Sequence, residues 1–556
     1  MQRNQHIAEL GPLLARWGIQ HTLLCPGSRN APLTQLFTSR EQFSCHSVVD
    51  ERSAGYVALG MARQLEEPVA VVTTSGTAVL NLAPAMAEAF HQRVPLVAIT
   101  ADRPLEKIPR FNNQWLDQEA PFFTSTKGFY QTPPRVNEPE DLDQIIMHLD
   151  ALLGAAVTRP AGPVHLNIPL EEPLYEPLPE PVMGKYGEHT RPGEIAAEPA
   201  GEIIHQLRNM IPSQDSRVLV LAGTGYPDPG ILHGLAVLLE QHRWAVVAEH
   251  TANLTGIQCI AHPELIMAMA GEPEREALRP DLLLSFGGQV ISKRLKHFLQ
   301  SLPDLRHHEL APWEMEAILK YGTGDHDKGD SPAAVPGISG SGDYLEAWKK
   351  QEALALEAAG EKLKNLPFGN FQAIRRIMER IPAGWSLHLG NSAAVRYAHL
   401  VPAREDLTCH ANRGTSGIDG CVSTAVGAAM VSDEQHLLVV GDLGFVYDSN
   451  AMWNKDFPGN LRVVVLNDGG GGIFRLLEGP SRMDFFEEFS VTHHPVSLEL
   501  LSQAFGRGFL RAENGQELEE KLESLFMPGN MAVVLEVDTT GSENSRIFKD
   551  FFDQTR

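Results

Sequence analysis

Short apolar, β-branched runs bounded by Gly or Asp constrain this chain more than any other feature. In the N-terminal third they occupy residues 22–24, 69–73, 94–100 and 164–168. In the middle they occupy 218–222, 245–248 and 282–286, and in the C-terminal third 437–440, 463–466 and 531–537. These runs lack polar alternation, so both faces of each strand must be covered. That pattern belongs to parallel sheets sandwiched between helices. Helical patterns such as 78–90 lie between the runs. The expected fold class is α/β, with mostly parallel sheets flanked by helices. Ligands on such sheets sit at the carboxyl ends of the strands, so the chemistry is expected in the loops that follow them.

A chain of 556 residues exceeds what one core organises. Two stretches read as linkers, 173–200 rich in Pro and Glu and 322–343 rich in Gly, Ser and Asp. They predict three α/β domains, 1–180, 200–330 and 365–556. The formal charge, 46 basic against 70 acidic residues, is −24. That balance argues against nucleic acid and anionic lipid as partners. It also means that anionic substrates must be gathered by locally clustered Arg and Lys. The five cysteines have no CxxC spacing and read as free thiols of a reducing compartment. The first residues lack the pattern of a signal peptide, and no run approaches the roughly 20 apolar residues that span a bilayer. The expectation is a cytoplasmic protein without membrane insertion.

The strongest chemical signal lies in the C-terminal third. The run 437–440 ends in Gly441-Asp442, and the next, 463–466, ends in Asn467-Asp468 followed by four glycines, 469–472. Joined by one crossover in a parallel sheet, these two strand ends lie side by side. Asp442 and Asp468 can then share one hard cation. Mg²⁺ characteristically takes one or two carboxylates and completes its shell with phosphate oxygens and water. The glycines let the backbone approach a diphosphate closely. Each half alone is more simply a strand end and a flexible turn; the combination points to a metal–diphosphate site. It resembles the thiamine-diphosphate motif, which opens Gly-Asp-Gly and closes Asn-Asn. Here Leu443 stands at the third position and Asn467-Asp468 at the close.

By that resemblance the cofactor is thiamine diphosphate. The metal is Mg²⁺, with Mn²⁺ as an alternative, held by Asp442, Asp468 and the backbone carbonyl of Gly470. Such a cofactor needs a carboxyl group on its pyrimidine ring to favour the imino tautomer that activates its thiazolium carbon. Glu51 is the candidate. An Asp-Glu-Arg run is usually a solvated face, but this one follows the apolar residues 46–49 and precedes a small-residue helical stretch, 54–62. A pyrimidine half first and a diphosphate half last resemble enzymes of the pyruvate-oxidase and acetolactate-synthase type. In those enzymes two chains share each site, which implies a homodimer, or a homotetramer built from such dimers.

A narrower resemblance covers residues 25 to 477. PGSRNAPL, DERSAGYVALG, TSGTAVLNL, TADRP, Asn113-Gln114, Lys293-Arg294, GNSAAVR, NRGTSGIDG and GDL…YDSNA together resemble the 2-succinyl-5-enolpyruvyl-6-hydroxy-3-cyclohexene-1-carboxylate synthases, transferases of menaquinone biosynthesis. DERS stands where that family has DERG. The resemblance implies decarboxylation of 2-oxoglutarate and addition of the succinyl carbanion to isochorismate. It assigns Glu51, Thr77, Gly390, Asn391, Ser392, Gly417, Ile418, Asp442, Leu443, Gly444, Gly470 and Ile473 to the cofactor. It places Ser392, Arg396 and Arg413 at the succinyl carboxylate, and Arg29, Arg103, Asn113, Gln114, Lys293 and Arg294 at isochorismate. Glu51, Arg29, Ser392, Arg396 and Arg413 are the implied catalytic set. Both substrates are dianions, and clustered Arg side chains suit carboxylates. Singly, each of these cations is most simply a surface residue.

Ile418 is implied to bend the cofactor from below, though it reads equally as a core isoleucine. Ile473, Phe474 and Leu477 are read as an apolar wall against water. Two other functions stay open: another thiamine-dependent 2-oxo acid decarboxylase or acetolactate-synthase-like carboligase, and an inactive binding protein on the same scaffold. Intact Glu51, Asp442 and Asp468 argue against the second. His91, His307-His308 and His493-His494 have no metal spacing and read as surface or structural. Gly223-Thr224-Gly225 hints at a dinucleotide loop but lacks its third glycine at Asp228, and reads as scaffold.

Overall fold

Every apolar run named above forms a strand, and every strand pairing described is parallel. The structure is a computed structural model that describes residues 2–104, 116–182, 216–225, 235, 244–310, 342–476, 479, 482–527, 529 and 531–553. The chain divides into two units, one of Met1–Ile195, Asn412–Asp433 and Tyr447–Leu461, the other of Ala196–Ala411, Glu434–Val446 and Arg462–Arg556.

The first unit holds a six-stranded sheet of β1 (His21–Leu24), β2 (Ser44–Ser47), β3 (Val69–Thr73), β4 (Leu96–Asp102), β5 (Phe129–Gln131) and β6 (Val164–Pro169). Their order is β2-β1-β3-β4-β6-β5. The central strands β3, β4 and β6 are buried along their whole length, as their unbroken apolar character requires. Helices Gln5–Arg16, Ala31–Thr38 and Pro139–Val157 contribute Ile7, Leu13, Phe37 and Leu149 to a core shared with Val72, Ile99 and Leu166. The pattern at 78–90 resolves into two helices, Thr77–Asn81 and Ala83–Gln92. Pro84 is the cause: it has no N–H to donate and suits only a first turn, so the helix restarts there.

Helix Glu51–Leu65 packs against helix Cys421–Met430, which is buried from Cys421 to Ala429. Small residues on both helices bring the backbones together. A β-carbon at Gly60 would fall against the carbonyl oxygen of Thr424, and one at Gly427 against that of Val57.

The second unit holds two sheets. The smaller comprises β7 (Val218–Ala222), β8 (Ala245–Ala248), β9 (Leu282–Phe286) and β10 (Arg306–Glu309), in the order β10-β9-β7-β8. The larger comprises β11 (Ser386–Leu389), β12 (Thr408–His410), β13 (His436–Gly441), β14 (Leu461–Asn467), β15 (Gly508–Ala512) and β16 (Val533–Asp538), in the order β12-β11-β13-β14-β16-β15. Counted from its own first strand, this order is 2-1-3-4-6-5, the same as in the first unit. One continuous core joins Leu219 and Leu265 through Trp348 and Phe371 to Leu437, Leu535 and Phe551.

Residues 173–182 of the first expected linker are neither helix nor strand, and 183–200 lie outside the described residues. Of the second linker only its end is described. There Gly342 and Asp343 open a helix, Gly342–Lys364, so the helix begins earlier than the composition indicated. All five cysteines are free. Among the described residues no helix is long and apolar enough to cross a membrane. Overpacking a close helix crossing costs about 1–3 kcal/mol, so Gly60→Val should lower the midpoint of urea denaturation followed by circular dichroism. An unchanged midpoint would contradict the close approach of the two helices.

Candidate active site

In the largest sheet of the second unit the strand order reverses between β11 and β13, so their carboxyl ends open a crevice. Gly390, Asn391 and Ser392 leave β11. Ser392 adopts φ 77° and ψ −118° at the start of helix Ala393–Ala398, a conformation that costs a non-glycine residue of order 1–3 kcal/mol. Strain of that kind persists only where the surroundings dictate it. Arg396, one turn along, donates from its guanidinium to the Ser392 carbonyl at 2.6 Å.

Asp442 begins the helix that follows β13. Its Oδ1 accepts the Leu443 N–H at 2.8 Å, and its Oδ2 the Gly470 N–H at 2.8 Å. On the next strand over, β14 ends at Asn467 and delivers Asp468, whose Oδ2 accepts from Asn370 Nδ2 at 3.0 Å. Burial lifts the Asp442 carboxyl above the usual range. Burial and then the charge of Asp442 push Asp468 up to about 7. A cation between two such carboxylates turns their repulsion into attraction. Among the described residues no cluster of three His, Cys, Asp or Glu side chains could hold a metal. A cation here would therefore complete its shell with backbone carbonyl, water and ligand oxygens. That donor set suits a hard ion such as Mg²⁺ bound beside a diphosphate.

His493 and His494, read from sequence as surface or structural, belong to this site. His494 Nε2 lies 3.2 Å from Asp442 Oδ2, and His493 Nδ1 lies 2.7 Å from the Gly469 carbonyl. The neighbouring Val491 carbonyl accepts the Gly471 N–H at 2.5 Å. The segment around residues 491–494 thus grips the glycine loop from one side. Asn370 was also missed; no spacing rule links it to Asp468. Ile473 and Phe474 lie on a short turn, Gly472–Leu476, with Phe474 39% exposed. Leu477 lies outside the described residues.

In the first unit Glu51 opens helix Glu51–Leu65. Asp50 caps that helix, accepting the N–H groups of Arg52 and Ser53 at 2.9 and 3.2 Å. Glu51 Oε2 accepts from Asn81 Nδ2 at 3.3 Å. Thr77 is exposed at the start of the helix that follows β3. Arg29, after β1, donates to the Leu170 carbonyl at 3.0 Å and lies 3.3 Å from Glu172. Burial, with a smaller push from Arg103, holds its pKa below the ordinary guanidinium value, against the pull of Glu172. Among the described residues the buried Nε of Arg103 has no hydrogen-bond partner. Two neighbouring cations, one incompletely paired, suit a carboxylate ligand. Asn113 and Gln114 lie outside the described residues. Arg413 is buried, while Gly417 and Ile418 are half-buried, so Ile418 is not enclosed as a core isoleucine would be.

Lys293 and Arg294 open helix Lys293–Gln300 in the second unit, capped by Ser292. They line a cavity of about 450 Å³ together with Arg275, Arg279 and His297 and the acidic Glu272 and Glu276. Arg294 is paired with Glu264 and stacks 4.2 Å from the ring of Phe552 in the C-terminal helix. Gly223-Thr224-Gly225 is tied to its neighbours by backbone bonds to Phe286, Gln289 and Thr251, as a scaffold segment would be.

Residues 7–121 match the family model described as thiamine pyrophosphate enzyme, N-terminal TPP binding domain, and residues 390–537 the one described as thiamine pyrophosphate enzyme, C-terminal TPP binding domain. With three parallel sheets flanked by helices, the fold is that of a thiamine-diphosphate enzyme. Similarity to individual proteins is more specific. A 2-succinyl-5-enolpyruvyl-6-hydroxy-3-cyclohexene-1-carboxylate synthase of Desulfotalea psychrophila is 36% identical over 92% of this chain and 94% of its own. Synthases of the same name from Flavobacterium psychrophilum and Cytophaga hutchinsonii are 33% and 31% identical, over 96% and 98% of both chains. The chain belongs to the 2-succinyl-5-enolpyruvyl-6-hydroxy-3-cyclohexene-1-carboxylate synthase family.

The geometry predicts that Asp442→Ala abolishes Mg²⁺-dependent binding of thiamine diphosphate in a calorimetric titration, while Asp468→Asn, which keeps an oxygen donor, retains it. Normal binding by Asp442→Ala with a chelator present would rule out the metal assignment.

Proposed function

We propose that this enzyme decarboxylates 2-oxoglutarate and transfers the succinyl unit to isochorismate, giving 2-succinyl-5-enolpyruvyl-6-hydroxy-3-cyclohexene-1-carboxylate and CO₂. The observation that carries this reading is the pair of desolvated strand-end carboxylates, Asp442 and Asp468, in a chain whose near full-length relatives are named as synthases of that product. An acetolactate-synthase-like enzyme handles small acids and has no need for the cations arrayed here.

Thiamine diphosphate, when bound, supplies the carbon nucleophile that lets CO₂ leave a 2-oxo acid. Asp442, Asp468 and the Gly470 carbonyl would hold Mg²⁺ against its diphosphate, with Gly390, Asn391, Leu443 and Gly444 lining the same crevice. Glu51 would hold a proton at the pyrimidine nitrogen, and Thr77, Gly417 and Ile418 would contact the cofactor. Ser392, Arg396 and Arg413 orient the 2-oxo acid through its distal carboxylate. Arg29, Arg103, Asn113, Gln114, Lys293 and Arg294 receive isochorismate, whose two charges would otherwise repel the incoming succinyl unit. Ile473, Phe474 and Leu477 exclude water, which would protonate the nucleophilic carbon before transfer. In this reading the three domains are 1–180, 200–330 and 365–556, and the working form is a cytoplasmic homodimer or a tetramer of such dimers.

Glutamine cannot hold or release the pyrimidine proton, so Glu51→Gln should slow exchange of the cofactor's C2 proton, followed by NMR, by about 10²- to 10⁴-fold. Unchanged exchange would remove Glu51 from this role. Loss of a charge-assisted contact to a carboxylate weakens binding roughly ten- to a hundredfold. Arg294→Ala should therefore raise the KM for isochorismate by that factor and spare 2-oxoglutarate turnover measured with an artificial electron acceptor. Equal damage to both assays would mean that the two substrates share Arg294.

A further inference from the structure

Glu88 sits on helix Ala83–Gln92 with none of its surface exposed, and no step proposed above uses it. A buried carboxylate must find hydrogen-bond donors, and Glu88 draws them from one loop. Its Oε1 accepts the Gly414 N–H at 2.7 Å, and its Oε2 accepts both the Thr415 N–H and the Thr415 hydroxyl at 2.6 Å. Gln92, one turn along the same helix, also donates to Oε1. Each oxygen thus takes one of two successive amides, which fixes the orientation of two adjacent peptide planes.

Those planes lie between Arg413 and Ile418. Immediately after them Ser416 stands at φ 63°, a left-handed conformation that a non-glycine residue keeps only when its surroundings over-determine it. The loop also rests directly on the helix. A β-carbon at Gly414 would come within 2.7 Å of the Glu88 carbonyl oxygen and 3.0 Å of His91 Cβ. At its far end Asp419 accepts from the Tyr56 hydroxyl at 3.2 Å, and Tyr56 lies on the helix that Glu51 opens.

We propose that Glu88 is a positioning residue: its bidentate grip on Gly414 and Thr415 sets the loop that presents Arg413 to the 2-oxo acid and Ile418 to the cofactor. This rests on the reading that Arg413 binds the distal carboxylate of 2-oxoglutarate. The carboxylate is needed because both of its oxygens accept. Glutamine would turn an NH₂ group toward one of the two amides and lose half of the grip.

The test compares the full-length wild type, Glu88→Gln, Arg413→Ala and the double variant, each loaded with thiamine diphosphate and Mg²⁺, in the artificial-acceptor assay with 2-oxoglutarate. Amide hydrogen exchange and thermal unfolding of the cofactor-free proteins accompany it. Glu88→Gln should speed exchange at Gly414 and Thr415 and raise the KM for 2-oxoglutarate about tenfold, the loss expected for a misplaced charge-assisted contact. The double variant should be no worse than Arg413→Ala alone, because Glu88 acts through Arg413. If Arg413→Ala is impaired while Glu88→Gln keeps the wild-type KM, or if the two losses multiply, the proposal for Glu88 is overturned. If Arg413→Ala itself leaves the KM unchanged, the placement of Arg413 fails first and the proposal falls with it.

Discussion

Two carboxylates on the ends of neighbouring parallel strands, one buried and one half-buried, set the terms for the C-terminal sheet. Asp442 and Asp468 each lose hydration, and the charge of Asp442 makes that of Asp468 more costly. The surrounding chain is built to hold them in that state. Asn370 reaches Asp468, the Gly470 N–H and His494 reach Asp442, and residues 491–494 fasten the glycine loop between them. A divalent cation bound with a diphosphate would relieve that conflict by neutralising the pair.

The two six-stranded sheets share one strand order, and each therefore has a point where the order reverses and loops diverge. In one sheet that point receives Arg29 and the residues around Thr77. In the other it receives Ser392 and Asp442. The four-stranded sheet contributes Lys293 and Arg294, held by Ser292, Glu264 and Phe552. In a chain of net charge −24, any site for a dianion has to be built from locally clustered cations such as these. Two buried glutamates accept backbone N–H groups beside these residues. Glu88 fixes the loop after Arg413, and Glu249 accepts the N–H groups of Ile291 and Ser292 ahead of Lys293.

What could be read from the sequence was local. Asp442 and Asp468 were legible because each closes an apolar run and a glycine follows close by. The central strands were legible because burial on both faces demands unbroken apolar residues. Strands β2, β5, β10, β12 and β15 were not, since edge strands such as SCHS and RHHE have one open side and need no apolar pattern. β11 is central, yet its SLHL buries His388, which hides the run. The break at Pro84 was overlooked because the apolar periodicity continues through it. His494, Asn370, Glu88 and Glu264 reach their partners across long stretches of chain, and no spacing rule joins them.

The most direct measurement is the mass of the product formed when the enzyme, with thiamine diphosphate and Mg²⁺, is given 2-oxoglutarate and isochorismate together. A single adduct whose mass equals the two substrates less CO₂, absent when either substrate or the cofactor is withheld, is the predicted result. Consumption of pyruvate in preference to 2-oxoglutarate, or release of CO₂ without any adduct to isochorismate, would contradict it.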